Sequence, residues 1–204
     1  MAINLVKGQR VEIGLSKLKV ELGWKVNPKA NPPYDLDAST FLLRENGEIG
    51  VEEDFVFYGS CKSIETPEGK RPVSADGSVL GSVDDLGDDD DNSGEGNEEI
   101  EVDLTKAGKQ IKSILFTASI YWELGKPSAK YNFGQVREAY ILIKNALTDE
   151  EILRYDLDED FSTEKGVEFG RLYRRGDAWK FEAIGVGYTE GLEPICRKYA
   201  SKFM

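Results

Sequence analysis

Short apolar runs recur along the whole 204-residue chain, some alternating with polar residues and some continuous. They are rich in Val, Ile, Phe and Tyr, and turn signals such as Asn46-Gly47 separate them, a pattern typical of β-strands. The predicted strands cover residues 11–15, 20–24, 40–43, 55–58, 100–104, 114–122, 140–144, 167–174 and 179–188. About nine strands with little helical periodicity between them predict a mostly β protein, an antiparallel two-sheet β-sandwich.

Two segments have the spacing of helices. Leu192, Ile195, Cys196 and Tyr199 follow the i, i+3, i+4, i+7 rule, which predicts a C-terminal helix that packs across an open edge or face of the sandwich. A second, short helix is predicted over residues 148–153, because Thr148 is a suitable N-cap and a Glu follows three residues later.

Residues 65–99 carry Pro, Gly, Ser and Asp with few apolar residues. A connection of this length inside a compact domain is usually functional or disordered. We interpret it as a long acidic, insertion-like loop within one domain that spans residues 1–204. The regular strand pattern that follows the loop supports a single domain over two domains joined by a linker.

The negative charge of the chain is concentrated in one segment. The formal net charge is -12, and eleven of the 38 acidic residues lie between Asp84 and Asp103, where there is no Lys or Arg. A cluster of oxygen ligands of this kind suits a hard cation such as calcium. A solvated, disordered acidic loop has the same composition, so charge alone does not decide between them.

The EF-hand pattern fits this loop only in part. A match that starts at Asp88 supplies acidic or amide side chains at the expected spacing and ends at Glu99, but Ser93 replaces the invariant Gly and no helices flank the loop. The loop is therefore not an EF-hand, although its oxygens have chelating spacing.

The composition excludes several classes of function. The chain has no His, which removes imidazole bases and nitrogen ligands, so oxygen is expected to bind any metal. It also lacks phosphate-binding Gly loops, and two-carboxylate glycoside hydrolysis is the enzyme chemistry that remains open. The acidic balance argues against nucleic acid as a partner.

The two Cys residues and the overall hydropathy point to an ordinary cytoplasmic protein. Cys61 and Cys196 form no CxxC pair, so we expect no disulfide scaffold and interpret both as buried small hydrophobic residues. No stretch approaches the ~20 apolar residues of a membrane span, and no signal-peptide pattern opens the chain. We therefore expect no membrane insertion.

One short pattern occurs twice, as Tyr34-Asp35-Leu36-Asp37 and as Tyr155-Asp156-Leu157-Asp158. In a strand, the two Asp residues of such a pattern lie on one face about 7 Å apart, which suits two donors to one ion. A polar strand edge with an inward Leu is the alternative, and it is the more frequent explanation of an isolated DLD.

Several motifs together resemble one family, the tellurium-resistance TerD family of calcium-binding stress proteins. The resemblance extends over nearly the whole chain. It is carried by Leu5-Val6-Lys7-Gly8-Gln9, Leu22-Gly23-Trp24, Asp35-Leu36-Asp37-Ala38-Ser39, Asp54-Phe55-Val56-Phe57-Tyr58, Asp91-Asn92 with Gly94-Glu95-Gly96, Arg154-Tyr155-Asp156-Leu157 and Gly185-Val186-Gly187-Tyr188.

The resemblance implies a β-sandwich that binds calcium ions close together at one end. Carried over to this sequence, the ligand segments correspond to Asp35, Asp37, Asp91, Asn92, Gly94, Gly96 and Glu98. The extra acidic run Asp88–Asp90 and Gly59-Ser60 depart from the family pattern. Because one ion takes six to eight oxygens, we expect this acidic cluster to bind two neighbouring calcium ions.

The expected function is therefore a non-enzymatic, calcium-binding protein of stress response and tellurite resistance. Calcium would order the acidic loop, which would then present a surface to another protein of a stress-resistance system. The alternative is a β-sandwich that binds a small ligand such as a cyclic nucleotide or a phosphorylated metabolite.

Overall fold

The structure, a computed structural model, describes residues 2–25, 36–83, 95–121, 125–157 and 161–204. Two six-stranded sheets and a hairpin contain all the strands in these ranges. The strands are β1 (Ile3–Leu5), β2 (Arg10–Ile13), β3 (Lys17–Lys25), β4 (Leu36–Leu43), β5 (Phe55–Val56), β6 (Ser63–Thr66), β7 (Gly69–Pro72), β8 (Val79–Leu80), β9 (Glu95–Asp103), β10 (Ser113–Ile120), β11 (Arg137–Asn145), β12 (Glu151–Asp156), β13 (Gly166–Arg175) and β14 (Ala178–Tyr188).

The first sheet has the strand order β1-β12-β11-β3-β9-β8 and the second has the order β2-β14-β13-β10-β4-β5. Neighbouring strands are antiparallel except β1 and β12, which run parallel. The predicted mostly β fold with two antiparallel sheets is confirmed, and all nine predicted strands overlap observed ones. Strands β6 and β7 form a separate two-stranded hairpin.

One apolar core joins the inner faces of the two sheets. Strand β3 alternates between charged and apolar residues, and its Leu18, Val20 and Leu22 are buried in this core. Across from them, Phe116 of β10 and Phe181 of β14 are fully buried. Apolar and polar residues alternate along these strands because one face of each strand points into the core between the two sheets.

A second core covers the outer face of the second sheet. It is formed by Phe41, Leu43 and Leu115 together with Ile195 of the helix α1 (Leu192–Tyr199). All eight residues of β10 are buried because this strand is covered on both faces, which explains its nearly continuous apolar sequence. The predicted C-terminal helix is confirmed, and it packs on a sheet face. Short 3-10 helices cover Glu52–Asp54, Pro127–Lys130, Phe133–Gln135 and Ser201–Phe203.

The helix predicted over residues 148–153 is wrong. The chain turns there, with Asp149 at a positive φ of 58°, and β12 then begins at Glu151. The apolar side chains that are buried in β12 are Leu153 and Tyr155, which follow a period of two and not of 3.6. Burial in a sheet outweighed the capping pattern at Thr148.

Two further expectations also differ from the structure. The segment interpreted as one long loop contains β7 and β8, and β9 starts within it. The cysteines are not both buried: Cys61 is exposed and Cys196 is half-buried, and both are free thiols. No helix in the described part of the chain is long and apolar enough to cross a membrane.

Candidate functional site

The acidic segment enters the fold through β9. This strand pairs antiparallel with β3, so that Gly96 lies opposite Trp24 and Glu98 lies opposite Leu22. Two of the predicted ligand residues, Gly96 and Glu98, are therefore strand residues and not loop residues. The acidic window thus ends in an ordered strand.

Glu98 is a carboxylate on an otherwise apolar strand face. Buried and more exposed residues alternate along this part of β9, and Glu98 lies on the same face as Ile100 and Val102. Only 9% of the surface of Glu98 is exposed. Burying a carboxylate costs free energy unless a cation or hydrogen-bond donors accompany it. Glu98 is thus a buried acidic side chain at the edge of the sandwich.

Asp37 reaches the same region from the other sheet. It lies in β4 and is paired in register with Ser119 of β10. By strand alternation it belongs to the face of β4 that carries Phe41, opposite to Leu36 and Ala38. Asp37 is half-buried at this position.

Asp37 and Glu98 line one small cleft. The cleft lies where the edge strands β5 and β8 of the two sheets come together, and its cavity volume is about 10 Å³. A cavity of this volume has room for about one water-sized species. Its lining comprises Asp37, Ala38, Val56, Phe57, Tyr58, Pro72, Gly81, Ser82, Val83, Glu98 and Ile100.

Arg71 organises this cleft, and the sequence analysis did not identify it. Its guanidinium is buried and donates hydrogen bonds to the carbonyl oxygen of Gly81 at 2.7 Å and to Glu101 Oε1 at 2.6 Å. A further bond of 3.3 Å reaches the carbonyl oxygen of Glu99. Arg71 therefore connects hairpin β6–β7 to the segment after β8 and to β9, and supplies a fixed positive charge beside the acidic strand.

Arg71 was not predicted because it is a single Arg in a segment that we interpreted as a loop. The Arg-Pro pair at residues 71–72 could have indicated a strand here, since a strand that ends at Pro is usually an edge strand or part of a hairpin. Ser82 adds a second connection, because its Oγ accepts a hydrogen bond of 3.3 Å from the Glu99 amide.

The structure brings together only part of the predicted ligand set. Asp35, Asp91, Asn92 and Gly94 lie outside the described residues. Among the residues described, no three His, Cys, Asp or Glu side chains form a group that could hold a metal ion. The two predicted ligands that meet at the cleft are both oxygen donors, which fits a hard cation such as calcium in chemical type.

The second DLD has a different environment. Asp156 of β12 forms an ion pair with Arg154. Oδ1 of Asp156 accepts a hydrogen bond of 2.8 Å from Nε of Arg154 and lies 2.7 Å from its Nη2. Arg154 in turn lies 3.7 Å above the ring of Tyr140. Asp156 therefore has a local ion pair, and Asp158 lies outside the described residues.

The family model and the most similar relatives agree on the family of this chain. The chain matches the TerD domain over residues 1–199. It is 39% identical to general stress protein 16U of Bacillus subtilis (strain 168), an alignment that covers 98% of this chain and 97% of that protein. It is 36% identical to tellurium resistance protein TerD of Alcaligenes sp, again with 98% and 97% covered.

The fold is also similar to that of a solved structure. A crystal structure described as a homologue of telluride resistance protein (TerD) from Streptomyces coelicolor A3(2) superimposes with a TM-score of 0.63 at 17% identity, covering 92% of this chain and 98% of that one. At this identity the likeness concerns the fold alone.

Proposed function

Because this chain belongs to the TerD domain family, we propose that it is a calcium-binding protein of the stress response that acts by binding and not by catalysis. The names of its relatives support the stress-response part of this proposal. The absence of His and of nucleophile motifs from the sequence supports a non-enzymatic role.

One observation carries the calcium proposal. Asp37 from one sheet and Glu98 from the other line the same cleft, and Glu98 belongs to the strand that continues the acidic segment. Two carboxylates that line one cleft repel each other, and both offer oxygen ligands to a divalent ion. A calcium ion at this edge would therefore hold the acidic segment against the sandwich.

The two carboxylates are too few for the six to eight oxygens that calcium takes. We assign the remaining ligands to Asp35, two residues before Asp37 in the sequence, and to Asp91 and Asn92 with backbone oxygens at Gly94 and Gly96. This set, completed by water molecules, would serve two neighbouring ions. Arg71 keeps β9 and the segment after β8 in place through its hydrogen bonds and is not a ligand of the ion.

The calcium-bound acidic segment would form the surface that another protein of a stress-resistance system recognises. The expected cytoplasmic location remains a prediction. The alternative, a cyclic nucleotide or phosphorylated metabolite, gains no support from this cleft, because about 10 Å³ is far smaller than the 300 Å³ and more of usual small-molecule sites.

Thermal unfolding with and without calcium tests the proposal. A ligand that binds only the folded state should stabilise it by about 2.7 kcal/mol when its free concentration is 100 times the dissociation constant. We expect chelator-stripped protein to melt at a higher temperature in calcium and to gain less in magnesium, which dehydrates reluctantly. Equal melting temperatures in calcium and in chelator would contradict the proposal.

A further inference from the structure

A second cavity lies between the end of helix α1 and the turn after β5, and Phe57 is the one residue that lines both this cavity and the acidic cleft. Its volume is about 140 Å³, close to the ~150 Å³ of an engineered apolar cavity that binds benzene. A cavity of this volume holds one small ring. The apolar part of its lining comprises Ile49, Phe55, Phe57, Ala200, Phe203 and Met204.

The aromatic wall of this cavity is held in place by ring stacking and by hydrogen bonds. The rings of Phe55 and Phe57 stack at 4.2 Å between centroids, and Phe55 stacks on the buried Phe41 at 4.4 Å. Ser60 fixes the turn that follows, because its Oγ accepts a hydrogen bond of 2.9 Å from the Phe57 amide and donates one of 3.1 Å to the Phe55 carbonyl oxygen. The wall is therefore preformed, which lowers the conformational cost of binding a ligand.

The charge of the lining favours a cation. Among the described residues, the lining contains one carboxylate and no Lys or Arg. That carboxylate belongs to Glu52, which is exposed and forms no ion pair within the described part of the chain. Lys62, Arg197 and Lys202 each follow a lining residue or lie between two of them, and all three are bound to other groups. A phosphate or a carboxylate would find no positive charge on these walls.

We propose that this cavity binds a small aromatic amine in its protonated form. The ring of such a ligand would lie against Phe55 and Phe57, where aromatic contacts add to the burial of apolar surface. Its ammonium group would lie near Glu52, and the faces of the rings attract the same cation. Met204 is 65% exposed at the opening of the cavity, and its unbranched thioether can adjust to the edge of the ligand.

Three ligands of similar size test the charge preference. Benzylammonium, benzyl alcohol and benzoate share a ring and differ in the charge of one substituent. In titrations of isotope-labelled protein followed by NMR, we expect benzylammonium to shift the amide signals of Gly59, Ser60 and Cys61. The amide of Leu147, in the turn before β12, should not shift. Affinity should fall from benzylammonium to benzyl alcohol and should be lowest for benzoate.

A variant of Glu52 separates the contribution of the charge from that of the ring. Glu52→Gln should weaken benzylammonium binding about twofold to fivefold, the range of an exposed ion pair, and leave benzyl alcohol binding unchanged. The matched control is Glu53→Gln, on the same 3-10 helix but outside the lining, and it should leave both affinities unchanged. Phe57→Leu removes a ring face and should weaken both ligands about twofold to tenfold.

Two results of these titrations would overturn the proposal: benzoate that binds as tightly as benzylammonium, or a Glu52→Gln variant that loses as much affinity for benzyl alcohol as for benzylammonium. Amide shifts confined to residues outside the lining would also overturn it.

Alkylation of the wild-type protein decides the question even if a variant fails to fold. Cys61 is an exposed thiol of the lining, whereas Cys196 is half-buried. Burial is the main cause that raises the pKa of Cys196 to about 11, so Cys61 should react first with iodoacetamide. Saturating benzylammonium should slow the labelling of Cys61, whereas the same concentration of benzoate should not. An unchanged labelling rate with benzylammonium would contradict the site.

Discussion

At the scale of single residues, the contact between Gly23 and Tyr140 explains why β3 carries a Gly at this position. A Cβ on Gly23 would lie 2.2 Å from Cζ of Tyr140, so only Gly leaves room for the ring. The ring is held in turn, because the Tyr140 hydroxyl donates to Glu21 Oε1 at 2.6 Å. Gly23 is thus required by the packing of the first sheet.

Gly23→Ala should destabilise the fold by about 1–3 kcal/mol, the usual cost of overpacking a well-packed site. Urea unfolding would measure this loss. Gly14→Ala is the matched control, because a Cβ there meets nothing within 4 Å, and it should change the free energy of unfolding by less than about 0.5 kcal/mol. Equal effects of the two substitutions would show that the Tyr140 contact is not limiting.

Glu21 should make stability depend on pH. Burial alone would raise the pKa of Glu21, but hydrogen bonds from Lys144 and Tyr140 outweigh it, and the pKa lies below the ordinary value of 4.5. A lowered carboxylate pKa stabilises the fold above that ordinary value, and the contribution is lost as the pH falls through the folded-state pKa.

The free energy of unfolding of Glu21→Gln should therefore fall less steeply than that of the wild type as the pH drops below about 4.5. Urea unfolding at a series of pH values would measure the two slopes. Glu45→Gln is the control, since the Glu45 side chain is 87% exposed, and it should keep the wild-type slope. Parallel curves for Glu21→Gln and the wild type would refute the assignment.

At the scale of elements, helix α1 is fixed to the second sheet by both apolar and polar contacts. Ile195 is fully buried in the outer core, and beside it Glu168 accepts hydrogen bonds from Tyr188, Tyr199 and Lys198. Burial is the main cause that raises the pKa of Tyr199 to about 12, so its hydroxyl remains a donor at neutral pH. The helix is thus part of the folded domain and not an appended tail.

Ile195→Ala should cost about 2–5 kcal/mol, because it leaves a cavity under a helix of only eight residues. Denaturant unfolding would measure the loss. Leu147→Ala is the control, since Leu147 is 79% exposed, and it should stay within about 0.5 kcal/mol of the wild type. A small effect at Ile195 would mean that the helix contributes little to the stability of the sheet.

Local patterns predicted most of these elements and only part of the site. Alternation in β3 and the continuous apolar run in β10 follow from burial on one face or on both, which a sequence displays directly. The hairpin β6–β7 was not predicted, because its strands are short and largely polar. The meeting of Asp37 with Glu98 depends on how two sheets align, which no local pattern encodes, and the resemblance to a family supplied it.

At the scale of the whole molecule, the acidic charge and the cleft lie at the same edge of the sandwich. The charge is local, since 27 acidic and 26 basic residues remain outside the window from Asp84 to Asp103. The window includes all of β9, whose Glu98 lines the cleft with Asp37. The sandwich therefore supports one acidic edge, which we propose to be the calcium-binding part of the molecule.

Calorimetric titration of calcium into chelator-stripped protein would show whether this edge binds calcium. We expect a stoichiometry of two ions per chain, and we expect Asp37→Asn and Glu98→Gln each to weaken binding. Asp156→Asn, whose carboxylate is paired with Arg154, should bind as the wild type does. The absence of calcium-dependent heat, or equal losses of affinity in all three variants, would show that Asp37 and Glu98 do not form a calcium site.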